Sequence, residues 1–239
     1  MIRIGVVPYI NALPLCTYLE HPFIKKPPAV LAQMMEEGKL DIALLPTFAS
    51  FEHSEYIPLF EGGIIQSFGP VDSVALFLRN DIKNIIDIKN IFITSESKTS
   101  INLLKVLLKH NFSIEWKNLA QVQDPQTADA LLLIGDTALE FVDTHYWKID
   151  LGKEWTEWTR LPFVYAFWVA RSKEFTHFLP VLKEAREKGK IHLDQIIDSI
   201  GSLSHANIRH YLTQCIQYEF SPESLRGIEK FRELSKTLL

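Results

Sequence analysis

Short apolar runs alternate with amphipathic stretches along the first two thirds of the chain, and this alternation most restricts the fold. The apolar runs predict strands at residues 3–7, 41–45, 64–68, 71–78, 91–93, 113–117 and 130–134. Helical spacing of apolar residues predicts helices at 29–37, at 99–110 and from 137. Strands that alternate with helices in this way are typical of an α/β fold with largely parallel sheets.

The last third of the chain shows helical patterns only, at residues 175–188, 191–199, 206–219 and 221–238. Because no flexible linker separates the two parts, we expect two lobes joined by short ordered crossings near 79–81 and 170–172. One discontinuous lobe would consist of residues 1–78 and 171–239, and it would enclose an inserted α/β lobe of residues 79–170. A cleft between two such lobes is a usual place for a small ligand.

Charge and cysteine content exclude several classes of protein. The formal net charge is −4 and the basic residues are scattered, which argues against a nucleic-acid partner. Cys16 and Cys215 are too few for a disulfide framework, and their apolar surroundings predict buried free thiols. The eight histidines form no pair at helical ligand spacing, so no metal is expected.

The distribution of apolar residues predicts no membrane partner. No apolar run approaches the roughly 20 residues that are needed to span a bilayer. The N-terminal stretch is apolar, but Pro8, Asn11 and Pro14 interrupt it, and its first residues predict a strand of the fold instead of a signal peptide. We therefore expect a cytoplasmic protein. The sequence does not decide its oligomeric state, which could be a monomer or a homodimer.

A hydroxyl-rich segment follows the predicted strand 91–93 and precedes the predicted helix 99–110. Its hydroxyl side chains are Thr94, Ser95, Ser97, Thr99 and Ser100. A helix N-terminus carries a partial positive charge and free N–H groups, so this segment could bind a carboxylate or a phosphate. The plainer alternative is helix capping, which Ser and Thr perform at many helix starts.

Other candidate site residues stand at the ends of predicted strands, where ligands bind in open α/β sheets. They are Tyr9 and Asn11 in Pro8-Tyr9-Ile10-Asn11, Ser73 in Gly69-Pro70-Val71-Asp72-Ser73, Gly135 and Asp136, and Pro162 and Phe163 within an aromatic run. Asn11 can donate and accept hydrogen bonds at once, and Ser73 and Ser100 can donate to a carboxylate. Each has a structural alternative: turn formation for Asn11, a backbone contact for Ser73, helix capping for Asp136 and a core position for the aromatic run.

Familiar catalytic motifs are missing from the chain. The sequence contains no Gly-x-Gly-x-x-Gly fingerprint, no phosphate-binding Gly-Lys-Ser/Thr loop and no Gly-x-Ser-x-Gly nucleophile elbow. An enzyme with this sequence would therefore depend more on positioning and hydrogen bonding than on a recognisable nucleophile.

Six segments, in order, resemble the chorismate dehydratases of menaquinone biosynthesis. They are residues 3–15 (RIGVVPYINALPL), 69–74 (GPVDSV), 97–100 (SKTS), 133–136 (LIGD), 150–152 (DLG) and the Trp-x-x-Trp-Thr-x-Leu-Pro-Phe-Val-x-Ala-x-Trp run from 155 to 168. Two positions depart from the family pattern, with Pro8 in place of the usual Ser and Arg160 in place of the usual Gly.

The resemblance implies the two-lobed fold of type II periplasmic binding proteins, with the ligand cleft between the lobes. It also implies a hydro-lyase that needs no cofactor and converts chorismate to 3-[(1-carboxyvinyl)oxy]benzoate and water in the futalosine route. Asn11 and Ser73 would then be catalytic. The substrate-binding residues would be Tyr9, Ser97, Thr99, Ser100, Gly135, Asp136, Pro162 and Phe163. Few acidic residues stand in these segments, so the substrate's own carboxylate is a candidate for the base.

Three alternatives remain at the level of sequence. The related 1,4-dihydroxy-6-naphthoate synthase shares the fold, but residues 69–74 and 158–164 look closer to the dehydratase. A solute-binding protein would bind without catalysis, and it normally carries a leader or lipid anchor. An effector-binding domain of a regulator is a third possibility, although no helix-turn-helix pattern or basic face accompanies it.

Overall fold

Two mixed β-sheets, each covered by helices, form the two lobes of the molecule. The computed structural model describes residues 2–93, 98–201 and 205–238. The strands are β1 (Ile4–Val6), β2 (Phe23–Lys25), β3 (Ile42–Pro46), β4 (Ile57–Pro58), β5 (Ile64–Ser67), β6 (Val74–Arg79), β7 (Asn90–Ile93), β8 (Ala120–Val122), β9 (Ala130–Ile134), β10 (Tyr146–Asp150) and β11 (Phe163–Ala170). The helices are α1 (Leu13–Cys16), α2 (Pro28–Glu36), α3 (Thr47–Glu52), α4 (Lys98–His110), α5 (Asp136–Glu140), α6 (Leu151–Thr159), α7 (Leu179–Ile191), α8 (Leu193–Asp198), α9 (His205–His210) and α10 (Pro222–Ser235).

The first sheet has the order β2-β1-β3-β11-β4, with β5 also paired to β11, and the second has the order β10-β6-β9-β7-β8. Both sheets are mixed, so the prediction of largely parallel sheets is wrong. The pairings of β1 with β2 and β3, and of β7 with β8 and β9, are parallel. Strand β11 runs antiparallel to all its partners, and β6 runs antiparallel to β9 and β10. The mixed α/β fold class itself is confirmed.

The chain crosses between the sheets earlier than the sequence suggested. Strand β6 belongs to the second sheet, although the sequence placed residues 71–78 in the first lobe. Strand β11 belongs to the first sheet, although the sequence placed residues 163–170 in the inserted lobe. By sheet membership the two crossings lie at residues 68–73 and 151–162, whereas the division into independent domains stays a prediction.

Strand β11 was not predicted because its aromatic residues were interpreted as part of a ligand site or the core. All its residues are buried, including Phe167 and Trp168, since other strands flank it and helices cover its faces. The predicted strand at 113–117 is wrong, since Ser113 has a positive φ of 58° and the pairing strand, β8, begins only at Ala120. The predicted helix at 206–219 ends early at Cys215, because Gln217 pairs with Gln66 through two backbone hydrogen bonds.

The C-terminal segment between α9 and α10 is built around a turn of π-helix at Tyr211–Cys215. This rare geometry widens the helix by one residue per turn and frequently marks functional sites. Cys16 and Cys215 are both buried free thiols, as predicted. Across the described residues no helix combines the length and the apolar character needed to cross a bilayer.

Candidate functional site

A small cavity lies between the two sheets, and both lobes contribute to its walls. From the first lobe it is lined by Val7, Tyr9, Asn11, Pro28, Pro46, Ile65, Tyr165 and Ala166. From the second lobe it is lined by Ser73, Val74, Ser100, Ile134 and Gly135. We call this space the cleft cavity. It contains five of the predicted site residues, namely Tyr9, Asn11, Ser73, Ser100 and Gly135.

The cleft cavity has a volume of about 50 Å³. Pockets that enclose a small organic ligand commonly measure about 300–1,000 Å³. The cavity is therefore too small for such a ligand as it stands, and its walls would have to move apart to admit one.

Asn11 reaches the cleft cavity because the chain turns abruptly at the carboxyl end of β1. The turn is a short 3₁₀ helix at Ile10–Ala12, followed directly by α1 with its proline in the first turn. Strand β1 lies beside β3 in parallel, so its carboxyl end points toward the edge at which ligands bind in such sheets. The strand-end pattern in the sequence thus placed Asn11 where the structure has it.

Ser73 and Gly135 come from adjacent ends of the second sheet. Ser73 immediately precedes β6, Gly135 follows β9, and the Gly135 amide donates to the Ser73 carbonyl at 2.7 Å. Gly135 adopts φ 67° and ψ −143°, a backbone conformation that is essentially restricted to glycine. A side chain at this position would strain the turn that brings β9 and β6 to the cavity.

Ser100 enters the cleft cavity from the first turn of α4, at the helix end that the sequence proposed for an anion. Thr99, its neighbour, is buried, and its hydroxyl oxygen accepts a hydrogen bond from the backbone N–H of Phe48 at 2.9 Å. Because Phe48 belongs to α3, this bond joins the two lobes. Thr99 is therefore a contact between lobes in this structure, whereas Ser100 faces the cavity.

Tyr211 connects the two principal candidate residues across the cleft. The Asn11 side-chain amide donates to the Tyr211 hydroxyl at 2.9 Å, and that hydroxyl donates to Ser73 Oγ at 2.8 Å. Tyr211 is buried, and its burial raises its pKa far above the usual value, so the hydroxyl stays protonated and remains a donor. This role was not predictable from the sequence, because Tyr211 stands in a helical pattern far from any predicted strand end.

The carbonyl oxygen of the Asn11 side chain is buried and has no hydrogen-bond partner among the described residues. A buried acceptor without a partner costs about 1–3 kcal/mol. The Nδ2 bond to Tyr211 fixes the amide orientation and leaves this oxygen without a partner among the described residues. A substrate hydroxyl or N–H group in the cavity could satisfy it.

The crossings that join the lobes are anchored by Asp150. Its buried carboxylate accepts from the N–H groups of Val71, Asp72 and Lys153 at 2.7–3.1 Å. Gly152, in the first turn of α6, lies so close to the end of β5 and the start of the first crossing that a Cβ would come within 2.7 Å of Ser67 Oγ and 2.9 Å of the Gly69 carbonyl. The Asp150-Leu151-Gly152 segment therefore fixes the position from which Ser73 faces the cleft.

An outer chamber of about 170 Å³ adjoins the cleft cavity and shares Pro28 and Pro46 with it. Its other lining residues are Ala29, Ala32, Gln33, Glu36, Ala49, Glu52 and Lys98. The Lys98 ammonium contacts both carboxylate oxygens of Glu52 at 3.0 Å, which links the start of α4 to the end of α3 across the cleft. This ion pair is exposed and can be opened at little cost.

Three other predicted site residues do not line the cleft cavity. Asp136 begins α5, directly beyond Gly135, and is partly buried. Pro162 lies at the second crossing, where its carbonyl accepts from Trp155 Nε1 at 3.2 Å. Phe163 is buried in an aromatic cluster with Trp155 and Phe231 at ring distances of 5.2 and 4.9 Å. Ser97 lies outside the described residues.

The two departures from the family pattern lie away from the cavity walls. Arg160 ends α6 in the left-handed conformation, with φ 60° and ψ 26°, and its side chain is exposed. Helices commonly end at a glycine in this conformation, which explains why a glycine is usual there. Pro8 is exposed beside Tyr9 at the end of β1.

One group of described side chains could in principle hold a metal ion. The ligand atoms of Asp72, His210 and Cys215 all lie within 4.8 Å of one another. However, the Lys148 ammonium contacts the Asp72 carboxylate at 2.7 Å, and burial, with the Asp72 charge beside it, raises the pKa of the Cys215 thiol to about 12. A neighbouring cation and a protonated thiol both oppose metal binding. The prediction of no metal stays a prediction.

Asp72 is the acidic residue nearest to Ser73 in sequence, and it faces this group instead of the cleft cavity. Partial burial would raise its pKa, but the hydrogen bond and charge of Lys148 outweigh that effect and lower the pKa overall. Among the described residues, no carboxylate, imidazole or thiol lines the cleft cavity. The described walls can therefore orient and bind a ligand, but they contain no strong base.

A known protein family and a curated relative match this chain over nearly its whole length. The family described as menaquinone biosynthesis matches residues 2–237. A curated relative named chorismate dehydratase, from Thermus thermophilus, is 25% identical over an alignment of 257 positions that covers 96% of this chain and 93% of the relative.

Solved structures show the same fold at low sequence identity. A protein of Archaeoglobus fulgidus superposes with a TM-score of 0.77 at 16% identity, covering 99% of this chain and 97% of the other. The periplasmic aliphatic sulphonate binding protein of Escherichia coli has a TM-score of 0.68 at 15% identity, covering 99% of this chain and 86% of the other. The expected periplasmic-binding-protein fold is therefore confirmed.

Proposed function

Because the chain belongs to the menaquinone biosynthesis family, we propose that it is a chorismate dehydratase. It would convert chorismate to 3-[(1-carboxyvinyl)oxy]benzoate and water, without a cofactor, in the futalosine route. The observation that carries this proposal is the cleft cavity itself: it presents the free Asn11 oxygen and the Ser73 hydroxyl, and no strong base among its described walls.

The proposed reaction suits a cavity whose described walls can bind and orient a substrate but contain no strong base. Loss of one ring proton and one ring hydroxyl leaves an aromatic ring, so the product supplies a large driving force. The protein then needs only to hold the substrate in a reactive conformation and to stabilise the departing hydroxyl. Positioning of this kind can by itself lower a barrier by several kcal/mol.

Each cleft residue has a role in the proposal. Ser100, in the first turn of α4, would bind one substrate carboxylate, favoured by the positive end of the helix. Ser73 would donate a second hydrogen bond, with its hydroxyl oriented by Tyr211. The free Asn11 oxygen would accept from the ring hydroxyl, and Tyr9 would pack against the substrate.

The base in this proposal is a carboxylate of the substrate. We assign the base to the substrate because no acidic or histidine side chain lies in the described walls of the cleft cavity. The substrate carboxylate would take the ring proton, the hydroxyl would leave with its bonding electrons, and a proton from the surroundings would complete the water molecule.

Lys98 would bind the incoming substrate before the reaction takes place. Its ion pair with Glu52 lies in the wall of the outer chamber, and both residues are exposed. An incoming dianion could replace Glu52 at the Lys98 ammonium and then move toward Ser100 as the lobes close. The reaction would take place in the cytoplasm, as the sequence led us to expect.

A solute-binding protein of the same fold is the second candidate, because orienting groups without a base also suit a protein that only binds. The naphthoate synthase alternative has no separate support in the cleft, and the family match does not distinguish it. The binding protein is one outcome of the experiment that follows.

That experiment is incubation of the purified protein with chorismate, followed by liquid chromatography and mass spectrometry. The proposal expects loss of chorismate and a product lighter by one water molecule, with the absorbance of a substituted benzoate. The Asn11→Ala variant, prepared in the same way, controls for contaminating enzymes and should form far less product.

Chorismate that raises the melting temperature but stays intact would contradict catalysis and favour the binding protein. Chorismate that neither reacts nor stabilises would contradict the proposed substrate.

A further inference from the structure

A second cavity, of about 440 Å³, lies between α3, α4 and α10, outside the cleft cavity, and shares Glu52 with the outer chamber. Its volume is within the range of pockets that enclose small organic ligands. Helices α3 and α10 pack on the first sheet through β11, and α4 belongs to the lobe of the second sheet. The cavity is therefore walled by both lobes, as the cleft cavity is, but it shares no lining residue with it.

The floor of the second cavity is aromatic. Phe48 and Phe51 of α3 line it, with their rings 6.0 Å apart, and both rings also pack on Phe231 of the core. Rings held against the core in this way form a rigid apolar surface. It suits a flat apolar group better than a fully hydrated ion.

Three cationic side chains also line the second cavity: Lys105 of α4, Arg232 of α10, and Lys236, which directly follows α10. Lys105 Nζ lies 4.8 Å from the Trp116 ring and the Arg232 guanidinium lies 4.7 Å from the Phe51 ring. Within the described parts of the chain, none of the three pairs with a carboxylate. The acidic residue Glu52 on the same wall is already engaged by Lys98.

A buried hydroxyl gives independent evidence for a ligand. Ser235 lines the second cavity and is only 8% exposed. Its Oγ is buried and has no hydrogen-bond partner among the described residues. A polar atom left in this state is costly, and a ligand acceptor would satisfy it.

We propose that the second cavity binds a small aromatic carboxylate. The ring would lie on Phe48 and Phe51, and the carboxylate would face Lys105 and Arg232. Ser235 would donate to an acceptor on the ligand. Because the walls come from both lobes, a molecule bound here stabilises the arrangement in which the lobes are drawn together. The proposal concerns binding alone and does not depend on the proposed reaction.

The test uses 2-naphthoate as the probe and 2-naphthamide as its uncharged counterpart, measured by isothermal titration calorimetry on the full chain. We expect naphthoate to bind more tightly than naphthamide. Lys105→Met and Arg232→Gln should each weaken naphthoate by roughly threefold to tenfold, the effect of one partly exposed charge. Arg226→Gln removes a charge from the same helix outside the cavity and should leave the affinity unchanged.

Two further variants separate this cavity from the cleft and from a folding defect. Ser73→Ala should leave naphthoate binding unchanged, because Ser73 lies in the cleft cavity. Ser235→Ala should weaken naphthoate without lowering the melting temperature, because it removes an unsatisfied buried hydroxyl.

Three results would each overturn the proposal. The first is equal binding of naphthoate and naphthamide. The second is naphthoate binding that Ser73→Ala abolishes and Arg232→Gln preserves. The third is a dimer in sedimentation velocity that Phe51→Asp converts to a monomer, since a second copy of the chain would then cover the cavity.

Discussion

The side-chain amide of Asn11 donates a hydrogen bond to the hydroxyl of Tyr211 at 2.9 Å, although the two residues stand 200 positions apart in the chain. Asn11 follows the first strand, and Tyr211 begins the π-helical turn near the C-terminus. The same hydroxyl donates to Ser73 on the opposite lobe. Tyr211 thereby sets the orientation of both residues that we propose as catalytic.

Tyr211→Phe removes this hydroxyl while it keeps the ring in place. We expect kcat/KM for chorismate to fall by about tenfold or more, because the Asn11 amide and the Ser73 hydroxyl both lose their orienting partner. The matched control is Tyr218→Phe, since the Tyr218 hydroxyl is buried without a partner among the described residues. Steady-state kinetics of both variants should separate them, and equal effects would contradict a positioning role for Tyr211.

Asn11→Ala and Ser73→Ala test the two residues directly. Each change removes a group that we propose to contact the reacting part of the substrate, so kcat/KM should fall by about a hundredfold or more. Thermal unfolding of each variant checks that the fold persists. An unchanged kcat/KM in either variant would remove that residue from the proposed site.

Asp72→Asn, Asp136→Asn and Glu96→Gln address the identity of the base. If a substrate carboxylate takes the proton, each variant should keep substantial activity, within about tenfold of the original kcat. Asp72 and Asp136 do not line the cleft cavity, and Glu96 lies outside the described residues. A loss of more than about a thousandfold in kcat, with chorismate binding intact, would instead identify a protein base.

Arg160→Gly should stabilise the protein without changing its activity. Arg160 holds a left-handed conformation at the end of α6, which is strained for any residue that carries a Cβ. We expect the free energy of unfolding in urea to rise by about 0.5–1 kcal/mol. Glu157→Gly in the middle of the same helix is the control and should lower it by about 1 kcal/mol. Arg160→Gly with lower kcat and unchanged stability would show that the side chain serves the reaction.

Stability in acid should depend on Asp41. This buried carboxylate accepts hydrogen bonds from Arg3 and Arg171, and the contacts with Arg3 in particular lower its pKa from 3.8 to about 2. The depressed pKa means that the stabilisation is complete above the unfolded-state value and is lost as the pH falls toward about 2. Between pH 5 and pH 2, the free energy of unfolding should therefore fall by about 2 kcal/mol more in the original protein than in Asp41→Asn. Parallel curves from urea titrations at several pH values would contradict this assignment.

The sequence predicted those parts of the fold that have a local periodic signal. Strand β9 and helix α4 lie where the apolar pattern placed them, within one residue. Strand β11 was missed because its aromatic residues were interpreted as part of a ligand site or the core, and the segment at Gln217 was missed because a distant strand, through Gln66, determines its extended form. Such pairings have no counterpart in local sequence.

The site shows a similar division. Asn11, Ser73 and Gly135 were identified because each follows or precedes an apolar strand, and strand ends meet at one edge of a sheet. Phe163 was grouped with them because of its motif, although its ring packs in the core. Tyr211 could not be identified, since its contacts arise only when the C-terminal segment folds back on the cleft.

Gly152 shows that a residue of a family motif can be required by the fold and not by the reaction. A Cβ here would lie within 3 Å of the Ser67 and Tyr165 hydroxyl oxygens in the first sheet and of the Gly69 carbonyl oxygen in the first crossing. A chain of this fold that bound a different ligand, or catalysed nothing, would need glycine there for the same steric reason. The Asp-Leu-Gly segment is therefore needed to join the two lobes in this geometry. The proposed chemistry depends on a few other side chains, such as Asn11. Proteins of this fold can thus have the same crossings between the lobes and catalyse different reactions.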